Sequence, residues 1–468
     1  MSQAALSPRA RASMVGALVA LSAWLAWTWL LAEPVKTRIA KASPGQKTVI
    51  FIVLDTTRAD HLSACGYERP TSPTLARLAE AGSLSCRAYA PGSWTYPSHA
   101  SFFTGLPVTE HGSHFVGQGE ARTARVIRKL TIRPLDPELR TLAEDFTARG
   151  YQTAGLSSNP VLAPASGLDR GFGLWRTAEQ FGPWYGRGME RQLTRLVRED
   201  LDPERPLFLF LNLADAHDPW DGVPAGLDWV PERKDFLMYF RLDEGELVDG
   251  EWAHYVTRRW TAEQDEAFRV RVRDLYDHAL SEADQTLASA LGILEAHGWM
   301  EDVRLVLVSD HGEFLGEHQL ARHGRYLWEP NQRVPLLFLD EQAPVELPEG
   351  PLSALVVHEL VLNGRLPSPL PPVQAVAFPD KAWLEHSGGQ VGGATSAAIW
   401  TTDGKQLWMD GVSYRVDLSE DPEEQRPIRM EPDEDLSELV RQTRASQARE
   451  LLMDPQLEQA LRAAGYLE

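Results

Sequence analysis

The sequence has little cysteine and no excess of positive charge. Cys65 and Cys86 are the only cysteines among 468 residues, which excludes a small scaffold held together by disulfides. We interpret the pair as two buried small hydrophobic residues, and a disulfide bridge between them is the alternative. Acidic residues outnumber basic ones by 66 to 46, so the net charge of -20 repels nucleic acid. We therefore expect no nucleic-acid partner, and local groups must capture any anionic substrate.

Charged residues are also missing from residues 14–32, an apolar run near the N-terminus. Nineteen helical residues at about 1.5 Å each just cross a hydrocarbon core of ~30 Å. We predict a transmembrane anchor there, between a tail of residues 1–13 and a linker of residues 33–47. A cleaved signal peptide is the alternative, but the run exceeds the usual apolar region and no clear small-x-small site follows. Basic residues flank both sides and do not settle the orientation.

Three continuous apolar runs predict parallel strands covered on both faces: Thr48–Leu54, Leu207–Leu213 and Val303–Val308. Each run ends at polar residues, and ligands of open α/β sheets bind beyond the carboxyl ends of the strands. We therefore expect Asp55, residues 215–217, and the pair Asp310 and His311 to converge.

The pattern predicts an α/β fold with a catalytic domain of residues 48–375 and a C-terminal subdomain of residues 376–468. Helices are predicted over residues 72–80, 142–149, 262–297 and 435–465. Short alternating segments predict antiparallel strands at residues 397–401, 406–409 and 414–418. Residues 221–261 have no clear period and are interpreted as an insertion near the substrate entrance, or as a peripheral loop.

Each polar segment has a functional and a structural interpretation. Asp55 is either a metal ligand or a helix cap, and Asp310 with His311 offers oxygen and nitrogen ligands or forms a solvated turn. Thr95 precedes a helix predicted to begin near Ser98, so it is either a nucleophile beside unpaired N–H groups or a cap. His217 transfers a proton or is structural.

Together these segments resemble the sulfatase and alkaline phosphatase superfamily, in the sulfatase-like branch with Thr in place of the formylglycine Cys. The resemblance runs in order from about residue 48 to about residue 425. Its motifs are LDTTRADHLSACGYERPTSPTLARLA, WTYPSHASFFTGL, SDHGEFLGEH, HGRYLWEPNQRVPL and YRVDLSEDPEEQ. It implies a large mixed, mostly parallel sheet sandwiched by helices, followed by a small antiparallel sheet with a helix.

The resemblance also implies roles for site residues and one divalent cation, Mn, Mg, Ca or Zn. Thr95 is then both nucleophile and metal ligand, and His217 and His323 act as general acid and anion clamp. Arg58 either contacts the substrate anion or pairs with Asp60. His99 is a further substrate-binding candidate, and the metal candidates are Asp55, Thr56, Thr95, Asp310 and His311.

The sequence departs from the family at two positions. Thr95 replaces the Cys of the C-x-P-x-R motif, and threonine cannot give formylglycine. Threonine there instead resembles phosphoethanolamine and phosphoglycerol transferases and some phosphodiesterases, which favours phosphoryl chemistry. Thr56 stands where many relatives have a second metal-binding aspartate, so the cation is left with two carboxylates, one imidazole and one hydroxyl.

The leading hypothesis is a metal-dependent hydrolase or transferase of phosphate or sulfate esters, acting on a small-molecule, lipid or glycan ester. A true sulfatase and a metal-binding pseudoenzyme are the alternatives. By analogy with anchored relatives, we expect the catalytic domain outside the cytoplasm. We expect structural roles for His111, His318 and Glu313.

Overall fold

A computed structural model describes residues 47–114, 132–217, 220, 262–324, 326–378, 395–402, 404–409 and 411–448. The predicted tail and anchor, the 221–261 segment and the end of the predicted terminal helix lie outside these residues. Within the described ranges, no helix combines the length and apolar character needed to cross a membrane. The anchor at residues 14–32 therefore stays a prediction.

Fifteen strands and nine helices of the described residues form two main units. The strands are β1 Thr48–Leu54, β2 Ser83–Tyr89, β3 Gln152–Ser157, β4 Leu174–Thr177, β5 Leu207–Leu213, β6 Val303–Val308, β7 Phe314–Leu315, β8 Ala321–Arg322, β9 Arg333–Leu339, β10 Leu352–Ser353, β11 Gln374–Ala377, β12 Ser396–Thr401, β13 Gly404–Met409, β14 Val412–Val416 and β15 Ile428–Met430. The helices are α1 Pro73–Ala81, α2 Thr95–Thr104, α3 Val108–His111, α4 Leu142–Ala148, α5 Arg187–Arg195, α6 Ala262–Ala296, α7 Glu329–Gln332, α8 Val357–Asn363 and α9 Glu434–Ala448.

The large sheet has eight strands in the order β10-β2-β9-β6-β1-β5-β3-β4. Strand β1 lies in the centre and pairs in parallel with β5 and with β6, whereas β9 pairs antiparallel with β6 and with β2. The prediction of a large, mostly parallel mixed sheet is confirmed. The carboxyl ends of β1, β5, β6 and β3 consequently lie at one edge.

Strand β1 explains how the sheet is held between helices, because its successive side chains enter opposite cores. Phe51 and Val53 join one apolar cluster with α2, α4 and α8. Ile50 and Ile52 join the other cluster, with α5 and α6. All residues of β1 are buried, because its apolar side chains pack against helices on both faces of the sheet.

The C-terminal unit is a five-stranded antiparallel sheet in the order β11-β12-β13-β14-β15, with α9 alongside, as predicted. The buried Lys405 links it to the large domain. Its ammonium donates to a carboxylate oxygen of Glu424 over 2.7 Å and to the carbonyl of Leu327. It also lies 4.8 Å from the ring centroid of Trp400. Two local predictions need correction, one at the cysteines and one at the start of α2.

The cysteines are bridged. Cys65 and Cys86 form a disulfide with a Cα–Cα distance of 5.7 Å, and both residues are half-buried. The interpretation of two buried unbridged cysteines is therefore wrong and the alternative is right. The reason is the fold, which brings the turn after β1 beside β2, a proximity that spacing in the sequence does not reveal.

Helix α2 begins earlier than predicted, at Thr95 rather than near Ser98. Pro97 is the third residue of this helix. The first N–H groups of a helix have no partner within it, so a proline in the first turn costs no hydrogen bond. Thr95 therefore occupies the first turn of the helix itself.

Candidate active site

The carboxyl ends of four strands bring polar side chains from distant parts of the chain together. Asp55 follows β1, Asn212 lies near the end of β5, and Asn159 follows β3. Asp310 and His311 follow β6, which pairs with β1 so that Val53 lies beside Val308. The strand ends predicted to converge do so at this edge, and Thr95 reaches it from the start of α2.

Asp55 and Asp310 are fully buried, and each leaves one carboxylate oxygen without a hydrogen-bond partner. Oδ2 of Asp55 accepts bonds from the amides of Asn159 and Asn212, over 2.8 and 3.0 Å. Oδ1 of Asp310 accepts from the backbone N–H groups of Thr56 and His311. The orphaned oxygens are Oδ1 of Asp55 and Oδ2 of Asp310. Buried carboxylate oxygens without donors fit a cation.

The pKa shifts of Asp55 and Asp310 also fit a bound cation. Burial raises the pKa of Asp310, and the negative charge of Asp55 raises it further. Burial also acts to raise the pKa of Asp55, but the charges of His217 and His311 and the two amides outweigh it and lower that pKa. Two like charges in one buried site therefore compete for a proton. A bound cation would remove that competition.

His311 offers a third ligand atom. Its Nδ1 lies 2.9 Å from the carbonyl oxygen of Gly312, which can only accept, so Nδ1 carries the proton and Nε2 is left with a lone pair. Burial is the main cause that lowers the pKa of His311 well below its usual value, which favours the neutral ring. Nε2 lies 3.5 Å from the orphaned oxygen of Asp310. Ligand atoms of Asp55, Asp310 and His311 lie within 4.8 Å of one another, so these residues fit one divalent cation.

Thr95 presents its hydroxyl to this cluster. Its Oγ1 lies 3.3 Å from Nε2 of His311 and accepts a hydrogen bond of 3.1 Å from the amide of Asn159. The side chain belongs to the first turn of α2, where backbone N–H groups are unpaired and the helix dipole favours negative charge. A buried hydroxyl oxygen and an anion-stabilising helix end thus coincide.

Two further histidines lie beside the cluster. The ring of His323 lies 4.3 Å from that of His311 and 5.1 Å from that of His217, between centroids. Nδ1 of His323 lies 3.2 Å from a carboxylate oxygen of the buried Glu313, which fixes the orientation of the ring. The ring of Phe181 stacks on His217 at 4.1 Å. Glu313, predicted to be structural, therefore supports a site histidine.

Three candidates have contacts that favour positioning roles. Arg58 donates to both carboxylate oxygens of Asp60 and to Glu317, so its predicted pairing with Asp60 is confirmed. Thr56 has φ of 55° and donates its hydroxyl to the Asp55 carbonyl and its N–H to Asp310.

His99 is the third of these candidates, and it is fully buried. Its Nδ1 donates to the carbonyl of Thr95, and burial lowers its pKa to about 4. It packs against three phenylalanine rings, so it supports the start of α2 from behind. Its substrate-binding role stays a prediction.

Sequence reasoning missed Asn159 and Asn212. Both amides hold Asp55, and Asn159 also reaches Thr95. The sequence contains one weak indication of Asn212, which is the one polar residue in the run LFLFLNL. A buried amide in an apolar strand must find partners, so its position near a strand end marks it as a site residue.

Asp215, predicted to join the converging strand ends, is instead bonded toward the helices. Its Oδ1 accepts from the backbone N–H of Gly186 over 2.7 Å and from the hydroxyl of Thr286 over 2.8 Å. Burial raises its pKa to about 6. It therefore anchors the segment before α5 to α6.

Comparison with known proteins gives a consistent family. The sequence model of the Sulfatase family matches residues 47–359. An arylsulfatase of Clostridium perfringens is 24% identical over 250 residues, which are 48% of this chain and 49% of that protein. N-acetylglucosamine-6-sulfatase of Capra hircus is 23% identical over 346 residues, 64% of this chain and 57% of that protein. The chain thus spans about half the length of these relatives.

Solved structures show the same fold. The phosphonate monoester hydrolase of Agrobacterium radiobacter aligns with a TM-score of 0.59 at 19% identity, covering 90% of this chain and 96% of its own. A 2-O GAG sulfatase aligns with a TM-score of 0.58 at 14% identity, covering 90% of this chain and 92% of its own. At such identities the likeness describes the architecture of the sheet and its C-terminal unit.

Proposed function

This chain belongs to the sulfatase family, and we propose that it is a metal-dependent hydrolase or transferase of phosphate esters that uses Thr95 as its nucleophile. One observation carries the proposal. The Thr95 hydroxyl lies against Asn159 and His311, beside two carboxylates that each have an orphaned oxygen. The residue type decides between chemistries, because a threonine forms a stable ester with phosphate but cannot be converted to formylglycine.

Asp55, Asp310, His311 and Thr95 would hold one divalent cation. When bound, such a cation supplies positive charge that lowers the pKa of a coordinated hydroxyl and offsets charge on the transferring group. Nothing in the ligand set chooses between Mn, Mg, Ca and Zn, since oxygen and imidazole donors suit each of them.

The side chains divide the remaining work. Asn159 donates to Thr95 Oγ1 and orients it toward the phosphorus, and the first turn of α2 stabilises negative charge on the transferring group. Thr95 loses its proton to solvent and forms a P–O bond as the bond to the leaving oxygen breaks. His323 or His217 protonates that leaving oxygen. Water or an acceptor hydroxyl then attacks the phosphothreonine and gives its proton to the same imidazole, while the bond between phosphorus and Thr95 Oγ1 breaks. Oγ1 takes up a proton from solvent, which restores the Thr95 hydroxyl.

The covalent step is tested by intact and peptide mass spectrometry after incubation with Mn²⁺ and bis(p-nitrophenyl) phosphate. We expect a substituted-phosphate adduct on the peptide that carries Thr95. Thr95→Ala should lose the adduct and lower turnover at least about a thousandfold. Thr104→Ala, at the other end of α2, is the matched control and should keep both. Full turnover by Thr95→Ala would overturn the mechanism.

The metal is tested separately by elemental analysis of purified protein. We expect about one divalent cation per chain, and Asp310→Ala should reduce it to near zero while the chain stays folded. Retention of the cation by Asp310→Ala would mean that the orphaned carboxylate oxygens are not its ligands.

Sulfate-ester hydrolysis is a second candidate, because curated relatives of the chain are sulfatases. Thr95 would then attack sulfur directly. Turnover of p-nitrophenyl sulfate without turnover of the phosphodiester would establish this candidate in place of the first.

We further propose that the domain works outside the cytoplasm, on a small-molecule, lipid or glycan ester, tethered by residues 14–32. The disulfide between Cys65 and Cys86 supports this, since disulfides persist mainly in oxidising compartments. An alkaline-phosphatase fusion at the C-terminus should be active in the bacterial periplasm. An inactive but expressed fusion would contradict the placement.

A further inference from the structure

A concave site separate from the Thr95 centre lies between the large domain and the C-terminal sheet. This interdomain cavity has a volume of about 840 Å³. Its walls come from the turn after β1, the end of β2, the start of α6, the start of β9, and the loop after β14. Ligand pockets typically measure about 300 to 1,000 Å³, so the cavity is large enough for a small molecule.

The walls of the interdomain cavity are rich in arginine, although the chain carries a net charge of -20. The guanidinium is the side chain best suited to bidentate recognition of phosphate and sulfate groups. Six arginines line the cavity: Arg58, Arg87, Arg269, Arg273, Arg333 and Arg415.

Carboxylates also line the cavity, but most of them are already engaged. Asp60 and Glu317 are bonded to Arg58. Glu329 accepts from the Trp400 indole and the Tyr89 hydroxyl. Asp417 accepts from the backbone N–H and the hydroxyl of Ser419. Four of the six lining carboxylates are therefore bonded within the protein, and the other two are Glu266 and Glu423.

The arginines are engaged less completely. Among the described residues, the side chains of Arg87 and Arg415 form no hydrogen bond or ion pair. Nε of Arg273 is out of contact with solvent and has no hydrogen-bond partner. An oxyanion in the cavity would instead accept hydrogen bonds from the guanidinium groups of Arg87 and Arg415. The cavity thus offers unused donors at Arg87 and Arg415.

The lining also limits what the oxyanion is attached to. Apolar side chains are few, namely Leu315, Pro330, Leu418 and Pro422, and polar groups such as Thr402, Ser419 and Gln425 lie among them. A lipid tail would bury little apolar area here. A hydroxyl-rich scaffold would find partners.

We propose that the interdomain cavity is a second oxyanion site, which binds a phosphate or sulfate group free or on a polar scaffold. This second site is additional to the proposed activity, and binding there does not depend on the chemistry of Thr95. One segment joins the two sites: Arg58 on the cavity wall donates to the carbonyl of Glu313, whose carboxylate holds His323.

The test measures binding in full-length protein whose catalytic centre is disabled by Thr95→Ala with Asp310→Ala. Isothermal calorimetry is run with inorganic phosphate and with glucose 6-phosphate, and glucose is the blank. We expect saturable binding of the anions that survives this double substitution. Adding R87Q, R273Q and R415Q should weaken it at least about tenfold, because charge-assisted bonds are lost.

A charge-matched control removes three arginines elsewhere. R195Q, R365Q and R441Q change exposed side chains outside the cavity by the same total charge and should leave binding within about twofold. Circular dichroism and melting curves verify folding, and R415Q alone replaces the triple variant if the latter unfolds, since Arg415 is exposed.

The outcomes separate the possible sources of the oxyanion. Tighter binding of glucose 6-phosphate than of phosphate supports a ligand with a polar scaffold, and equal binding supports a free ion. Absence of binding, or equal loss in the cavity and control variants, overturns the proposal. Neither overturning result bears on Thr95, whose adduct is measured independently.

Discussion

Asn159 donates one amide hydrogen to Asp55 and the other to Thr95, so its substitution separates two functions of the site. Asn159→Ala removes a support of a predicted metal ligand and a donor to the predicted nucleophile. Asn212→Ala removes a bond to the same oxygen of Asp55 but none to Thr95. The comparison of the two variants therefore isolates the bond to the nucleophile.

The size of the effect follows from the charge on Thr95. The attacking oxygen is negative, so the lost bond counts as charge-assisted, which is about 1.5 to 3 kcal/mol. That range corresponds to roughly 10- to 150-fold in rate. Loss of support to Asp55 should weaken metal binding about 10- to 100-fold in both variants, which excess metal can offset.

The assay is hydrolysis of bis(p-nitrophenyl) phosphate during titration with Mn²⁺. At saturating Mn²⁺, we expect kcat of Asn159→Ala to fall roughly 10- to 150-fold. We expect kcat of Asn212→Ala to fall by less than about fivefold. Asn212 also accepts bonds from Ser157 and from the Asn159 backbone, so it is the more disruptive substitution for structure. Equal kcat values for the two variants would refute the argument that Asn159 activates Thr95.

Other predictions concern stability. Burial raises the pKa of Asp215 from 3.8 to about 6, so the folded protein holds a proton that the unfolded chain releases, and stability falls as pH rises from about 4 to 6. The loss of stability between pH 4 and pH 7 should amount to up to about 3 kcal/mol, and Asp215→Asn should abolish it. Urea unfolding at both pH values measures the free energy of unfolding, and the same loss in Asp215→Asn as in the unmodified protein would contradict this prediction. Lys405→Met leaves Glu424 buried and unpaired and should lower the free energy of unfolding by about 3 to 5 kcal/mol. The double variant Lys405→Met, Glu424→Gln should recover much of this stability. Replacing Cys65 and Cys86 by serine opens a bridge across 21 residues and should cost about 3 kcal/mol; no shift in the urea midpoint would argue against the bridge.

The sequence predicted the centre of the large sheet well because β1, β5 and β6 are almost entirely buried. Val49–Leu54 is entirely apolar and Val303–Val308 is interrupted only by Arg304, and the ends of these runs mark Asp55 and Asp310. Helix α6, predicted over residues 262–297, is found at Ala262–Ala296, since its apolar period and the following Gly298 are local signals.

Predictions failed where the information was not local. Asn159 becomes a site residue only because β3 lies beside β5 in the sheet, an order that no segment of the sequence encodes. Whether Arg58 meets substrate or pairs with Asp60 depends on Glu317, which lies 259 residues away. The bridge between Cys65 and Cys86 likewise depends on how the turn after β1 packs. Residue types thus located the site, and tertiary pairing decided the contacts.

The bond between Thr56 and Asp310 joins residues 254 positions apart, and this distance has a consequence for biogenesis. Asp55 emerges early in synthesis, but its partner carboxylate follows only after β6 has been made and has docked beside β1. Half of the ligand set alone would hold a cation weakly. A cation that occupies this site would therefore be chosen by the compartment in which folding finishes rather than by the one in which synthesis begins.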